Sequence, residues 1–73
     1  MSTQVSDNIR KLLMQNHKGI VDFAEALGYS PRDAARIICG ELLMSPKEIQ
    51  RIADFFGVTK REIVRGIGYE KNS

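Results

Sequence analysis

The chain has 73 residues, 42% hydrophobic and 27% charged, with eleven Lys and Arg against nine Asp and Glu for a net charge of +2. That length holds one domain with one small core, and it rarely builds a deep catalytic pocket. A single cysteine (Cys39) and a single histidine (His17) exclude an intrachain disulfide and a structural zinc site, and no apolar run is long enough to cross a bilayer. The expectation is a non-enzymatic, cytoplasmic protein with no cofactor, no membrane segment and no small-molecule substrate.

Five short helices are expected in chain order. The first runs from Ser6 to Gln15, with Ser6 or Asp7 as a weak cap and Ile9, Leu12 and Leu13 on one face. The second runs from Ile20 to Leu27, with Phe23, Ala24 and Leu27 sharing a face, and Gly28 stops it. Ser30-Pro31-Arg32-Asp33 opens the third, to Cys39, with Ala34 and Ile37 facing inward and Gly40 as the stop. Ser45-Pro46-Lys47-Glu48 opens the fourth, to Phe56, as a capping box: a hydroxyl satisfies a free backbone N–H and a carboxylate reaches back to the cap. Ile49, Ile52, Ala53 and Phe56 form its apolar stripe, and Gly57 ends it. Thr59-Lys60-Arg61-Glu62 repeats the box for a last helix to Arg65, with Gly66 as its stop and with Val58 and Ile63 closing the core. No segment alternates over strand length, so an all-α class follows. The domain spans residues 6–66, and residues 1–5 and 67–73 are expected to be loose ends.

Ile20 through Cys39 is the segment that carries function. A helix ends at Leu27, Gly28 makes a tight turn, and a second helix opens at Ser30. Ala24 is small where the two helices cross, and Ala34 with Ile37 is apolar where the second helix meets the core. Those residue types at that spacing are the physical requirements of a helix-turn-helix.

From Ile9 to Val64 the chain resembles the Cro/C1-type helix-turn-helix family, which includes small repressors of temperate phages. The matching residues are Phe23-Ala24-Glu25-Ala26-Leu27-Gly28-Tyr29-Ser30, the pair Ile37 and Gly40, Ile49 through Val58, and Thr59 through Val64. The resemblance implies a compact five-helix, lambda repressor-like domain whose third helix enters the major groove. It implies a regulator of a phage lysis–lysogeny type switch in a bacterial host cell. The early reading positions fall on Pro31 and Arg32 and a later one on Arg36, and two arginines can each bind guanine bidentately. Where the family often has glutamine, Ile20 offers only a methyl contact to thymine. The candidate contact set is Ile20, Ser30, Pro31, Arg32, Asp33, Ala35, Arg36, Ile38 and Cys39, with Lys18 and Lys47, and also Arg10 or Lys11, as phosphate contacts.

The sequence departs from the family at several points. Asp33, Asp22 and Glu25 put carboxylates on or near a face that would meet phosphate. Ile38 and Cys39 stand where the family commonly has a glutamate and a polar residue. Ile20 and Ile38, with Leu42, Leu43 and Met44, suggest an apolar surface of the kind that marks protein contacts. Two partners therefore stand open: double-stranded operator DNA, or a cognate phage repressor that the chain binds as an anti-repressor. A homodimer is possible in either case. Plainer readings stand beside these. Arg32 and Arg36 can be solvated helix charge, Ile20 and Ile38 partly buried core edge, Cys39 a small hydrophobe and His17 a loop residue. Phe55 and Phe56 read as core and core edge, with Phe55 also available to a dimer. Met14 and Met44 read as gap fillers or surface apolar residues. The tail, Gly66-Ile67-Gly68-Tyr69, folds back or aids dimerisation.

Overall fold

The computed structural model describes residues 3–42 and 44–66. They form α1 (Thr3–Gln15), α2 (Ile20–Leu27), α3 (Pro31–Ile38), α4 (Pro46–Phe56) and α5 (Lys60–Arg65), and among the described residues there is no strand. The class is all-α. No helix among the described residues is long and apolar enough to cross a membrane. Leu43, expected in an apolar surface, and residues 67–73, expected to be a loose end that folds back or aids dimerisation, lie outside the described residues.

Local chemistry sets the helix starts. Ser45 Oγ accepts from the Glu48 N–H at 3.2 Å, and the Glu48 carboxylate accepts from the Ser45 N–H at 3.0 Å. Thr59 and Glu62 make the same exchange at 3.1 and 3.2 Å. At α3 only one half forms: Ser30 Oγ accepts from the Asp33 N–H at 3.1 Å, with Pro31 at the first helical position. α2 starts by the opposite half. Gly19 has no side chain to offer, and the Asp22 carboxylate accepts from the Gly19 N–H at 3.0 Å. Asp22 is thus occupied in capping its own helix.

α1 departs from the sequence reading. It begins at Thr3, so residues 3–5 are helical rather than a loose end, and Val5 packs on the core. Ser6 is buried inside the helix instead of capping it, and Asp7 pairs with Arg10. The cause is α5. Asn8 Nδ2, buried, donates to the Ile63 carbonyl at 2.8 Å, and Gln4 Nε2 donates to the Arg65 carbonyl at 3.0 Å. Both carbonyls belong to the last turn of α5, where no helical N–H remains to meet them. Gln4, on the extra turn of α1, and Asn8 beyond it therefore cap a helix more than fifty residues away.

The ends of α1 to α4 follow one pattern. At Gly28 (φ 76°) the next N–H, of Tyr29, returns to the Ala24 carbonyl at 2.9 Å. At Gly40 (φ 80°) the Glu41 N–H returns to Arg36 O at 2.9 Å and the Gly40 N–H to Ile37 O at 3.1 Å. These bonds close a helix only through a left-handed residue, which glycine adopts without a Cβ clash. The end of α1 has the same bonds, Lys18 N–H to Leu13 O and His17 N–H to Met14 O, but His17 holds the left-handed position at φ 55°. His17 is therefore the turn residue of α1, without a glycine to advertise it. α3 stops at Ile38 with Cys39 as its C-cap, one residue short of the sequence expectation.

The core gathers Ile9, Leu12, Leu13, Phe23, Ala24, Leu27, Ala34, Ile37, Ile52, Ala53 and Ile63. α1 lies against α5 and α3, while α2 lies against α3 and α4. Phe23 is fully buried, with the rings of Tyr29, Phe55 and Phe56 centred 6.0, 6.3 and 6.4 Å from its own. The radius of gyration is 11.2 Å, as for a close-packed chain of this length.

Tyr29, in the turn between α2 and α3, donates its hydroxyl to Glu48 at 3.3 Å and so ties that turn to the start of α4. Burial first, and the Glu48 charge second, push the Tyr29 phenol above the ordinary tyrosine range. The Ser45 backbone N–H, helped by the Ser45 and Tyr29 hydroxyls and by Arg51, holds the Glu48 carboxyl below the usual range. A carboxyl lowered on folding contributes stability above its unfolded value, and that contribution is lost as pH falls through the folded value. Thermal melts of wild type and Glu48→Gln should therefore converge as pH drops from neutrality to below about 4, the ordinary glutamate range. A gap that stays constant across that window would show that the carboxylate charge contributes nothing.

Candidate functional site

α3 is eight residues long, about 12 Å at 1.5 Å per residue. Ala34 and Ile37 fix its inward face, so residues four apart on the other side point out together. Arg32 and Arg36 are such a pair, and both are exposed. With Asp33, Ala35 and Glu41 they line one open concavity of about 550 Å³. Among the described residues no salt bridge joins either arginine to Asp33 or Glu41.

Three other basic side chains, Arg10, Arg51 and Lys18, are engaged in the fold. The Arg10 guanidinium donates to the Ile38 carbonyl at the end of α3 and pairs with Asp7, so it caps that helix from α1. Arg51 Nη2 donates to the Leu27 carbonyl at 2.8 Å, capping α2 from α4. Lys18 Nζ lies 5.5 Å from the centre of the Phe55 ring, a cation–π position. Lys11 and Lys47 are exposed. Arg32 and Arg36 thus share the outward face of α3 without a bonding role inside the fold, as the exposed Lys60 and Arg61 do on α5.

The remaining sequence candidates divide. Ser30 is occupied as the α3 cap, Pro31 is exposed beside it, and Asp33 is half-buried in the first turn. Asp33 there favours the helix dipole. Cys39 is exposed and reduced just past the helix. Ile20 is 38% exposed at the start of α2 and does not line the α3 concavity. The expected apolar surface of Ile20, Ile38, Leu42 and Met44 is not assembled. Ile38, Leu42 and Met44 are half-buried against the core, because the loop after α3 folds onto it. The exposed apolar side chains are instead Met14, Ile20, Val21 and Val64.

Sequence reasoning missed Glu41. The backbone bond from its N–H to Arg36 O folds it back beside the arginines. The signal was present in Gly40: a left-handed residue returns the chain across the helix end. Comparison with known proteins finds no matching family model, no matching curated protein and no matching solved structure.

Proposed function

We propose that this chain is a small transcription regulator of the Cro/C1-type helix-turn-helix kind, which binds double-stranded operator DNA through α3. The observation that carries this reading is the outward pair Arg32 and Arg36 on α3, since an α-helix about 10–12 Å across fits a major groove about 12 Å wide. Guanidinium groups match the O6 and N7 acceptors of guanine, and Ala35 between them leaves room for close approach. Lys47 and the α3 cap at Ser30 supply backbone contacts. A dimer on two half-sites would cover a promoter and exclude polymerase, as in a lysis–lysogeny type switch of a bacterial host. The protein acts without catalysis or cofactor. The test is titration of the purified protein against its own promoter region and against scrambled duplexes over a salt series. Specific binding should weaken steeply as salt rises, by counterion release. Equal affinity for scrambled DNA, or a flat salt response, would defeat the reading.

The second reading, an anti-repressor that blocks a phage repressor's DNA-binding domain, is favoured by one observation. Val21 is 61% exposed next to Ile20, and Asp22 and Glu25 lie on the same helix. An apolar centre with acidic flanks would suit a basic operator-binding face. Ile20→Glu with Val21→Glu should then abolish a complex with the neighbouring repressor while leaving helicity intact by circular dichroism. A complex that survives both changes would remove this reading.

A further inference from the structure

The open groove between α4 and α5 has a composition that the α3 surface does not explain. Its lining is Pro46, Ile49, Lys60, Arg61, Val64 and Arg65, and it measures about 280 Å³. Pro46, Ile49 and Val64 form an apolar floor that stays partly open to solvent, with Val64 36% exposed. Three of the six lining residues are cations and none is a carboxylate. Of the two carboxylates nearest in sequence, Glu48 binds Ser45 and Tyr29, and Glu62 accepts from the Thr59 N–H; neither lines the groove. The charged lining of the groove is therefore basic, with Lys60 and Arg61 exposed at its rim.

We propose that this groove docks an acidic, apolar segment of a partner protein, with one or two apolar side chains on the Ile49–Val64 floor and carboxylates against Lys60 and Arg61. Exposed apolar floor with charged rim is the anatomy of a protein contact, where rim charge selects the partner by sign. A volume at the low end of ligand sites, open along one side, suits inserted side chains better than an enclosed small molecule. A second copy of this chain is disfavoured, because two such grooves face to face oppose cation with cation. None of the lining residues is shared with the α3 concavity, so this proposal stands apart from the DNA reading.

The test uses the full chain and a short amphipathic helical peptide with leucines on one face and glutamates on the other. Its control is the same peptide with lysine for every glutamate. Methyl NMR of Ile49 and Val64 should shift with the acidic peptide and not with the basic one, at concentrations up to about 1 mM, where weak complexes register. Lys60→Glu with Arg61→Glu, both exposed, should weaken that binding by about tenfold or more. Arg32→Ala with Arg36→Ala should leave it unchanged, and melting curves of each variant confirm folding. The proposal is overturned if the acidic peptide moves neither methyl, or if the basic peptide moves both equally. It is overturned equally if those methyls shift on raising the protein concentration alone or on adding a DNA duplex, which would assign the groove to a second copy or to nucleic acid.

Discussion

Alanine at both Arg32 and Arg36 is expected to remove specific operator binding while leaving the melting temperature within a degree or two of wild type, since exposed side chains without partners contribute little to stability. Each bidentate guanine contact discriminates by about 1–3 kcal/mol, so the pair together is worth about 2–6 kcal/mol, or roughly 30-fold and upward in affinity. The single variants separate the two kinds of contact. An arginine that reads a base relaxes specificity at one position of the operator. An arginine on phosphate weakens all sequences alike and lowers the salt slope by about 1. Fluorescence anisotropy with specific and scrambled duplexes across a salt series distinguishes them. If the double variant binds its promoter as wild type does, α3 is not the reading element.

The second large effect is on the fold. Phe23 is fully buried and central to the ring cluster of Tyr29, Phe55 and Phe56. Phe23→Ala should cost about 3–5 kcal/mol, the sum of lost transfer energy and the cavity left behind. A domain of this length holds about 4–11 kcal/mol in total, at 0.05–0.15 per residue. The variant should therefore be marginal or unfolded at 37 °C by urea titration or thermal melt, with the α2–α3 turn loosened because Tyr29 loses its packing partner. Phe23→Leu keeps most of the volume and should keep the fold at a lower midpoint. A wild-type midpoint for Phe23→Ala would mean that the cluster does not hold the core.

Much of the fold was legible because its instructions are local. Ser45 with Glu48 and Thr59 with Glu62 lie three residues apart, so their capping boxes could be read directly and formed as read. The left-handed turns at Gly28 and Gly40 were equally plain, since few other residues take that backbone. His17 and the start of α1 were not plain. A histidine seldom holds a left-handed turn, and nothing within α1 announces that Gln4 and Asn8 will meet carbonyls of α5. The outward pair on α3 followed from four-residue spacing against Ala34 and Ile37. The neighbouring apolar surface did not follow, because periodicity gives a side chain its direction and not what lies across from it.

By itself the sequence determined the starts of α2 to α5 and the ends of α2, α4 and α5, the all-α class and the direction of Arg32 and Arg36, since caps, turns and helical periodicity act over a few residues. Tertiary structure alone decided which charges and which apolar groups remain at the surface. Arg10 reaches a carbonyl 28 residues on and Arg51 one 24 residues back, and Ile38, Leu42 and Met44 are half-buried by the packed core. Such pairings depend on where folded helices place their ends. A carbonyl left without a helical partner attracts whatever donor packing brings within reach, however distant in the chain.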